Sequence, residues 1–189
     1  MGPAMAQPAT KLTYDDLLLL PEDGKRHELI DGEHFVSPSP NVRHQRVLAR
    51  LSVLLYGFVG EHALGEIFFA PLDILFSPHD VVEPDIIFVS TARSAIVEKA
   101  NLRGVPDLLV EVLSPSSHRH DEVRKRALYD RAGVDEYWIV DPEAETVKVF
   151  RREGERYARP LLLSRHDGDV LATPCIPGLE VSLAALFAE

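Results

Sequence analysis

The sequence predicts one mixed α/β domain from three features: a long stretch of apolar residues at helical spacing, three strand-like runs after it, and a second helical stretch leading into another strand. The long stretch covers Val42 to Glu61, where Val47, Leu48, Leu51, Leu54, Leu55 and Phe58 share one helical face. The strand-like runs are Glu66 to Phe76, Asp85 to Val89 and Asp107 to Leu113, and the later strand is Glu136 to Val140. The remaining elements come from local chemistry. Thr13, with Asp15 and Asp16 after it, supplies an N-cap oxygen for a short helix through Leu20 that Pro21 stops. His27 to Ile30 and Glu33 to Val36 flank Asp31-Gly32, a pair that readily adopts positive φ, and so read as a tight hairpin. Ser37-Pro38-Ser39-Pro40-Asn41 breaks the chain before the long helix, and Ser114-Pro115-Ser116-Ser117 before a helix from about His118 to Ala132. Thr146 to Arg151 and Arg156 to Leu163 suggest a further hairpin, followed by a closing strand at Leu179 to Val181 and a short terminal helix.

Composition sets the limits. With 189 residues, 46% hydrophobic and 26% charged, the chain reads as a globular unit of one core, with 1–11 a flexible leader and 12–189 the domain. Its charge-free stretches, such as Leu51 to Gly60, run ten residues, about half of what a membrane-spanning helix needs. The opening residues lack the basic start and apolar stretch of a signal peptide, so the expected compartment is the cytoplasm, with no membrane partner and no organic cofactor. Cys175 is the lone cysteine, which excludes an intrachain disulfide and any zinc site built from several thiolates. A net charge of −10 argues against coating nucleic acid by general electrostatics. The charge is uneven, however: Glu61 to Ser90 holds six acidic residues and no Lys or Arg, whereas Ser117 to Arg131 is rich in arginine and lysine. Such a pair of segments suits either a cation site beside a phosphate site or an ordinary solvated surface.

Side chains alternate along a strand, so Glu111 shares a face with Asp107, Leu109 and Leu113 and sits among apolar neighbours. A carboxylate in that setting must be paired, protonated or bound to a cation. Asp85 stands at the mouth of the preceding strand, within reach of Glu111. Two carboxylates converging from adjacent strands offer hard oxygen ligands suited to Mg²⁺. The plainer alternative is that Asp85 ends a turn and Glu111 pairs with an arginine.

Pro84-Asp85 followed by Glu111-Val112-Leu113 looks like the PD-(D/E)xK nuclease motif with its last position changed. More specifically, Tyr14 to Pro21, His27 to Glu33, Pro71-Leu72-Asp73, Glu83-Pro84-Asp85, Val110 to Ser116, Glu136 to Pro142 and the ending around Pro177-Gly178-Leu179 and Leu186-Phe187 resemble, in order, the Uma-type putative restriction endonucleases of that superfamily. The resemblance spans nearly the whole chain from Leu12 onward. It implies a restriction-endonuclease-like fold, with a central mixed β-sheet flanked by helices and additional hairpins at both ends, and metal-dependent cutting of DNA.

In the general motif a lysine stands two residues after the glutamate, where this chain has Leu113. Another cation must then fill that role. At about 100° per residue, Asp121, Lys125, Leu128, Tyr129 and Ala132 share one arc of the second helix, which turns Lys125 inward toward the carboxylates. Family members resemble this chain in carrying a lysine in that helix. The expected catalytic set is therefore Asp85, Glu111 and Lys125, with Asp85, Glu111 and Asp73 as metal ligands and Mg²⁺, or Mn²⁺ in its place, as the ion. Lys125 snorkelling to solvent is the alternative. Four further residues have supporting readings: Glu28 as a site carboxylate or a hairpin partner, His44 as a capping histidine, Asp73 as a ligand or the partner of a basic residue, and Tyr129 as orienting Lys125 or packing. His118, His120 and Asp121 are a weak zinc pattern, and Ser114, His118 and Asp121 do not make a hydrolase triad. The expected function is a metal-dependent DNA endonuclease, with a homodimer suited to cutting two strands. Its rival is an inactive nuclease-fold module for DNA binding or protein interaction.

Overall fold

The computed structural model describes residues 10–21, 23–37, 39–114 and 120–188. Thr13 and Asp16 cap helix α1 (Tyr14–Leu17) reciprocally, each side chain accepting from the other's backbone N–H. Strands β1 (Arg26–Ile30) and β2 (Glu33–Ser37) form the expected hairpin. Asp31 and Gly32 both take positive φ, at 54° and 74°, and a Cβ on Gly32 would lie 2.5 Å from the Lys11 Cβ, so only glycine fits there. Helix α2 (Val42–Glu61) has the predicted bounds, and Asn41 accepts from the His44 backbone N–H to cap it.

Strands β3 (Gly65–Phe69), β4 (Ile74–Ser77), β5 (Asp80–Val82) and β6 (Ile86–Ser90) come next, then a 3₁₀ segment at Thr91–Ile96, β7 (Leu102–Arg103) and β8 (Leu108–Val112). A π-helical turn at His120–Lys125 leads into α3 (Arg126–Ala132). Strands β9 (Glu136–Asp141), β10 (Thr146–Glu153), β11 (Arg156–Tyr157), β12 (Leu161–Ser164), β13 (Val170–Ala172) and β14 (Glu180–Ser182) precede α4 (Leu183–Leu186).

The central sheet runs β11-β10-β9-β8-β6-β3, with β12 also on β10, and within it only β8 and β9 are parallel. A second sheet runs β2-β1-β5-β4-β7, and β13 pairs with β14. Three expectations are corrected. Glu66 to Phe76 is two strands in different sheets, parted around Pro71, which has no N–H to give a ladder. Arg156 to Leu163 divides into β11 and β12, both on β10. The helix expected from His118 begins, among the described residues, as a π turn rather than an α-helix.

The central sheet is apolar on both faces. Val47, Leu51, Leu55 and Val59 of α2 pack on Ile86, Phe88, Leu108, Val110, Val112 and Trp138, joined by Val181, Leu183 and Leu186 near the C-terminus. On the other face Ile87, Leu109, Leu113, Tyr137 and Ile139 meet Leu128 and Tyr129 of the α3 helix and Ile30, Ile74 and Val82 of the second sheet. Strand β8 is thus covered on both sides and sets the position of Glu111. No helix among the described residues is long and apolar enough to cross a membrane.

Because Leu51 is fully buried between helix and sheet, Leu51→Ala is expected to lower unfolding free energy by about 2–5 kcal/mol. Val53→Ala, on the exposed side of the same helix, should change it by less than about 0.5 kcal/mol. Denaturant titration of both variants checks the assignment of faces.

Candidate active site

Strands β6 and β8 bring the two predicted acidic residues to neighbouring backbone positions. Ile86 pairs with Val110, so Asp85 and Glu111 are the next residues along on the two strands. Asp85 stands just before β6 and is buried. Its Oδ2 accepts the Val112 backbone N–H at 2.9 Å and lies 3.1 Å from Nε2 of His44, in the first turn of α2. Its Oδ1 accepts from Arg26 Nη1, on β1, at 2.9 Å. Burial works to raise the Asp85 carboxyl, but the His44 hydrogen bond, the Arg26 charge and the Val112 N–H outweigh it and hold Asp85 below the ordinary carboxylate range.

Glu111 faces the other centre of charge. Lys125 Nζ donates to Glu111 Oε1 at 2.8 Å, and the Tyr129 hydroxyl donates to the same oxygen at 3.1 Å. Lys125 is only 2% exposed, as its inward arc predicts, and its ammonium also lies 2.8 Å from Oε1 of the fully buried Glu28 on β1. Glu28 is in turn fixed by the Glu83 backbone N–H at 2.9 Å and the Ser37 hydroxyl at 3.2 Å. Arg26 closes the circuit by donating to the Glu83 carbonyl at 3.2 Å. Burial opposes the charge of Arg26, yet Asp85, Glu111 and Glu28 together raise its pKa, which places the guanidinium in the field of all three carboxylates.

Asp85, Glu111, Lys125, Glu28, His44 and Tyr129 therefore form one connected cluster. Asp73 sits at its rim. It accepts from the Tyr14 hydroxyl at 3.1 Å and pairs with no basic residue among those described. Burial raises its pKa, opposed by the Tyr14 hydrogen bond and helped by the Glu28 charge. Asp73 and Glu83 also line a cavity of about 460 Å³ together with Leu17, Leu20 and Pro21. The His44 side chain reaches Asp85, while the cap itself is Asn41. Leu113 is buried in the core. His118 and the side chains of His120 and Asp121 lie outside the described residues, and among those described no group of three or more His, Cys, Asp or Glu is gathered as a metal site.

Two members were not foreseen. Arg26 reads in sequence as one more basic residue before a hairpin. Glu83 directly precedes the Pro84-Asp85 pair but has no pattern of its own. One oxygen of the Glu83 carboxylate, Oε2, is buried without a hydrogen-bond partner. Burial, with the Asp73 and Glu28 charges adding, pushes its pKa up to about 7.

That shift has a defined sign. A carboxyl whose folded pKa lies above its ordinary value of 4.5 binds its proton more tightly in the folded state. Its stabilising contribution is complete below that ordinary value and is lost as pH rises through about 7. Without divalent ions, Glu83→Gln should match wild type near pH 5 and exceed it by roughly 1 kcal/mol near pH 8, a figure reduced for partial solvent access. Thermal melts across this range test it. Asp85 acts in the opposite sense and at lower pH, since its depressed pKa gives stability that is lost as pH falls.

Comparison with known proteins agrees with this architecture. The crystal structure of a putative nuclease belonging to DUF820 from Anabaena variabilis aligns with a TM-score of 0.79 and 22% sequence identity, over 94% of this chain and 98% of that one. At that identity the likeness concerns the fold, which is the restriction-endonuclease-like α/β fold expected from the sequence. No curated protein gives a significant match. The profile of Uma2, described as a putative restriction endonuclease, matches residues 14–184, and the chain belongs to that family.

Proposed function

We propose that this protein is a DNA endonuclease that hydrolyses phosphodiester bonds with Mg²⁺, for which Mn²⁺ can substitute. The carrying observation is the buried Lys125 held between Glu111 and Glu28, with Asp85 and Glu111 each one residue beyond the Ile86–Val110 pair of β6 and β8. A family of restriction endonucleases supplies the reaction class.

The donor set suits a divalent ion in kind. Carboxylate oxygens are the ligands Mg²⁺ prefers, and at the rim Glu83 and Asp73 are raised first by burial and then by neighbouring carboxylate charge, both of which a bound cation would offset. In this reading Asp85 and Glu111 hold the ion. Asp73, engaged by Tyr14, contributes field rather than a bond. A bound divalent ion would make a water more acidic and neutralise charge developing on the phosphoryl oxygens.

The chain's own residues do the rest. His44 and the Val112 N–H orient Asp85, and Tyr129 orients Glu111. Lys125 provides a fixed positive charge for the negative charge that grows at phosphorus, and Glu28 keeps its ammonium in place. A homodimer would present one such site to each strand of a duplex.

The test is cleavage of single- and double-stranded DNA with and without Mg²⁺ or Mn²⁺. Lys125→Met should lower metal-dependent cleavage by at least about 100-fold. Arg124→Ala, an exposed residue paired with Glu33, should at most weaken DNA binding in a salt-dependent way. Removing Lys125 takes away the ammonium that two buried carboxylates share, and breaking a buried pair costs about 3–5 kcal/mol, so Lys125→Met/Glu28→Gln serves as the folded, charge-balanced control and should also be inactive. Full activity in a folded Lys125 variant would overturn the role given to the lysine. A well-folded wild type that cuts no DNA with either ion would favour the inactive nuclease-fold module.

Ion binding is tested separately. Millimolar Mn²⁺ should raise the melting temperature of wild type and leave that of Glu111→Ala unchanged. Equal responses would remove Glu111 from the ligand set.

A further inference from the structure

Arg26 occupies the oxygen that a divalent ion would need. Its guanidinium donates at 2.9 Å to Oδ1 of Asp85, and the fields of Glu111 and Glu28 also reach it. Of the cluster's basic side chains it is the accessible one: Arg26 is 23% exposed, against 2% for both Lys125 and His44. Lys125 is tied to two carboxylates, and His44 is built into the first turn of α2. Arg26 lies at the start of β1, next to a turn in which Gly24 takes a φ of 75°.

A second acceptor lies beside it. The same Arg26 nitrogen that reaches Asp85 also donates to the Glu83 backbone carbonyl, and the Glu83 carboxylate has a buried oxygen with no partner. A buried carboxylate oxygen left without a donor is costly. A guanidinium carries five N–H donors in a rigid fork, and the Arg26 charge already acts on the Glu83 carboxyl, so the fork can take up that carboxylate while the carbonyl contact remains.

We propose that Arg26 and the divalent ion exchange places: Arg26 neutralises Asp85 in the metal-free protein and moves to the Glu83 carboxylate when the ion takes Asp85. The inference rests on the reading of Asp85 and Glu111 as metal ligands. Two considerations support it. Buried Asp85 needs a cation at all times, because an uncompensated buried charge is strongly unfavourable. An arginine and a divalent ion on one carboxylate oxygen repel each other at short range in a weakly screened site. Exchange meets both constraints and gives Glu83 the partner it lacks.

The experiment is a Mn²⁺ titration of the whole protein at neutral pH, with free Mn²⁺ followed by electron paramagnetic resonance. Arg26→Gln should bind Mn²⁺ about tenfold more tightly than wild type, since the competing cation is gone. Glu83→Gln should bind it several-fold more weakly, since the displaced arginine loses its destination. In Arg26→Gln/Glu83→Gln the effect of the Glu83 change should vanish, as expected when one residue acts through the other. Equal or weaker binding by Arg26→Gln, or an undiminished Glu83 effect in the double variant, overturns the exchange while leaving the metal site standing. Absence of binding in wild type and Arg26→Gln alike overturns the metal reading and the exchange with it.

A second measurement needs no destabilising variant. The Nε–H resonance of Arg26, assigned by its loss in Arg26→Lys, should move with Mg²⁺ in step with site occupancy. A resonance that stays fixed while the ion binds overturns the exchange.

Discussion

The ammonium of Lys125, held between Glu28 and Glu111, is the interaction on which the rest of this structure depends. It joins three elements that are distant in sequence: β1 of the second sheet, β8 of the central sheet, and the helical segment ending at Lys125. Buried ion pairs of this kind add little net stability, because desolvation consumes most of the Coulomb gain. Their effect is on arrangement. Neither carboxylate can move away without leaving a buried charge uncompensated, so the hairpin and the central sheet are held in one relation. Asp85 carries the same obligation and meets it with Arg26, His44 and the Val112 N–H.

Much of the fold was legible because its signals are local. Helix α2 matches its predicted bounds since both the apolar spacing and the Asn41 cap lie within the segment itself. The first hairpin is likewise written in Asp31-Gly32. The run from Glu66 to Phe76 misled because it stays apolar across the chain's passage from one sheet to the other. Hydrophobicity reports burial, and it does not say in which sheet a residue is buried. Strands β5 and β7, of three and two residues, exist because neighbouring strands supply their partners, and a single sequence holds no record of that pairing.

The candidate site divides in the same way. Glu111 among apolar neighbours and Lys125 on an apolar arc are conspicuous because a charge there must be answered by another. Their inward positions come from the alternation of a strand and the turn of a helix, and the π turn before Arg126 leaves Lys125, Leu128 and Tyr129 on the buried side. The identities of the partners are tertiary facts. Nothing near Arg26 marks it as the counter-charge of a residue 59 positions away, and Glu28 meets Ser37, Glu83 and Lys125 only once β1 is packed against the central sheet, as Ile30 is. The reversal from an acidic to a basic stretch noted in the sequence has a physical counterpart, since Asp85 from the first and Lys125 from the second flank Glu111.

Leu113 changes how the site's ammonium is held in place. A lysine on β8 would have its position set by the strand backbone that also sets Glu111. With Leu113 buried instead, the ammonium is placed by how the helical segment packs against the sheet. Tyr129 is central to that packing. Its ring meets Tyr137 edge-on at 4.8 Å and also contacts Phe76, while its hydroxyl reaches the Glu111 oxygen that receives Lys125. One residue thus reads the packing of helix on sheet and the position of the carboxylate together. Loosening of the helix would displace the ammonium and release Glu111 in a single step, so the integrity of this charge cluster is coupled to a helix–sheet interface rather than to the strands alone.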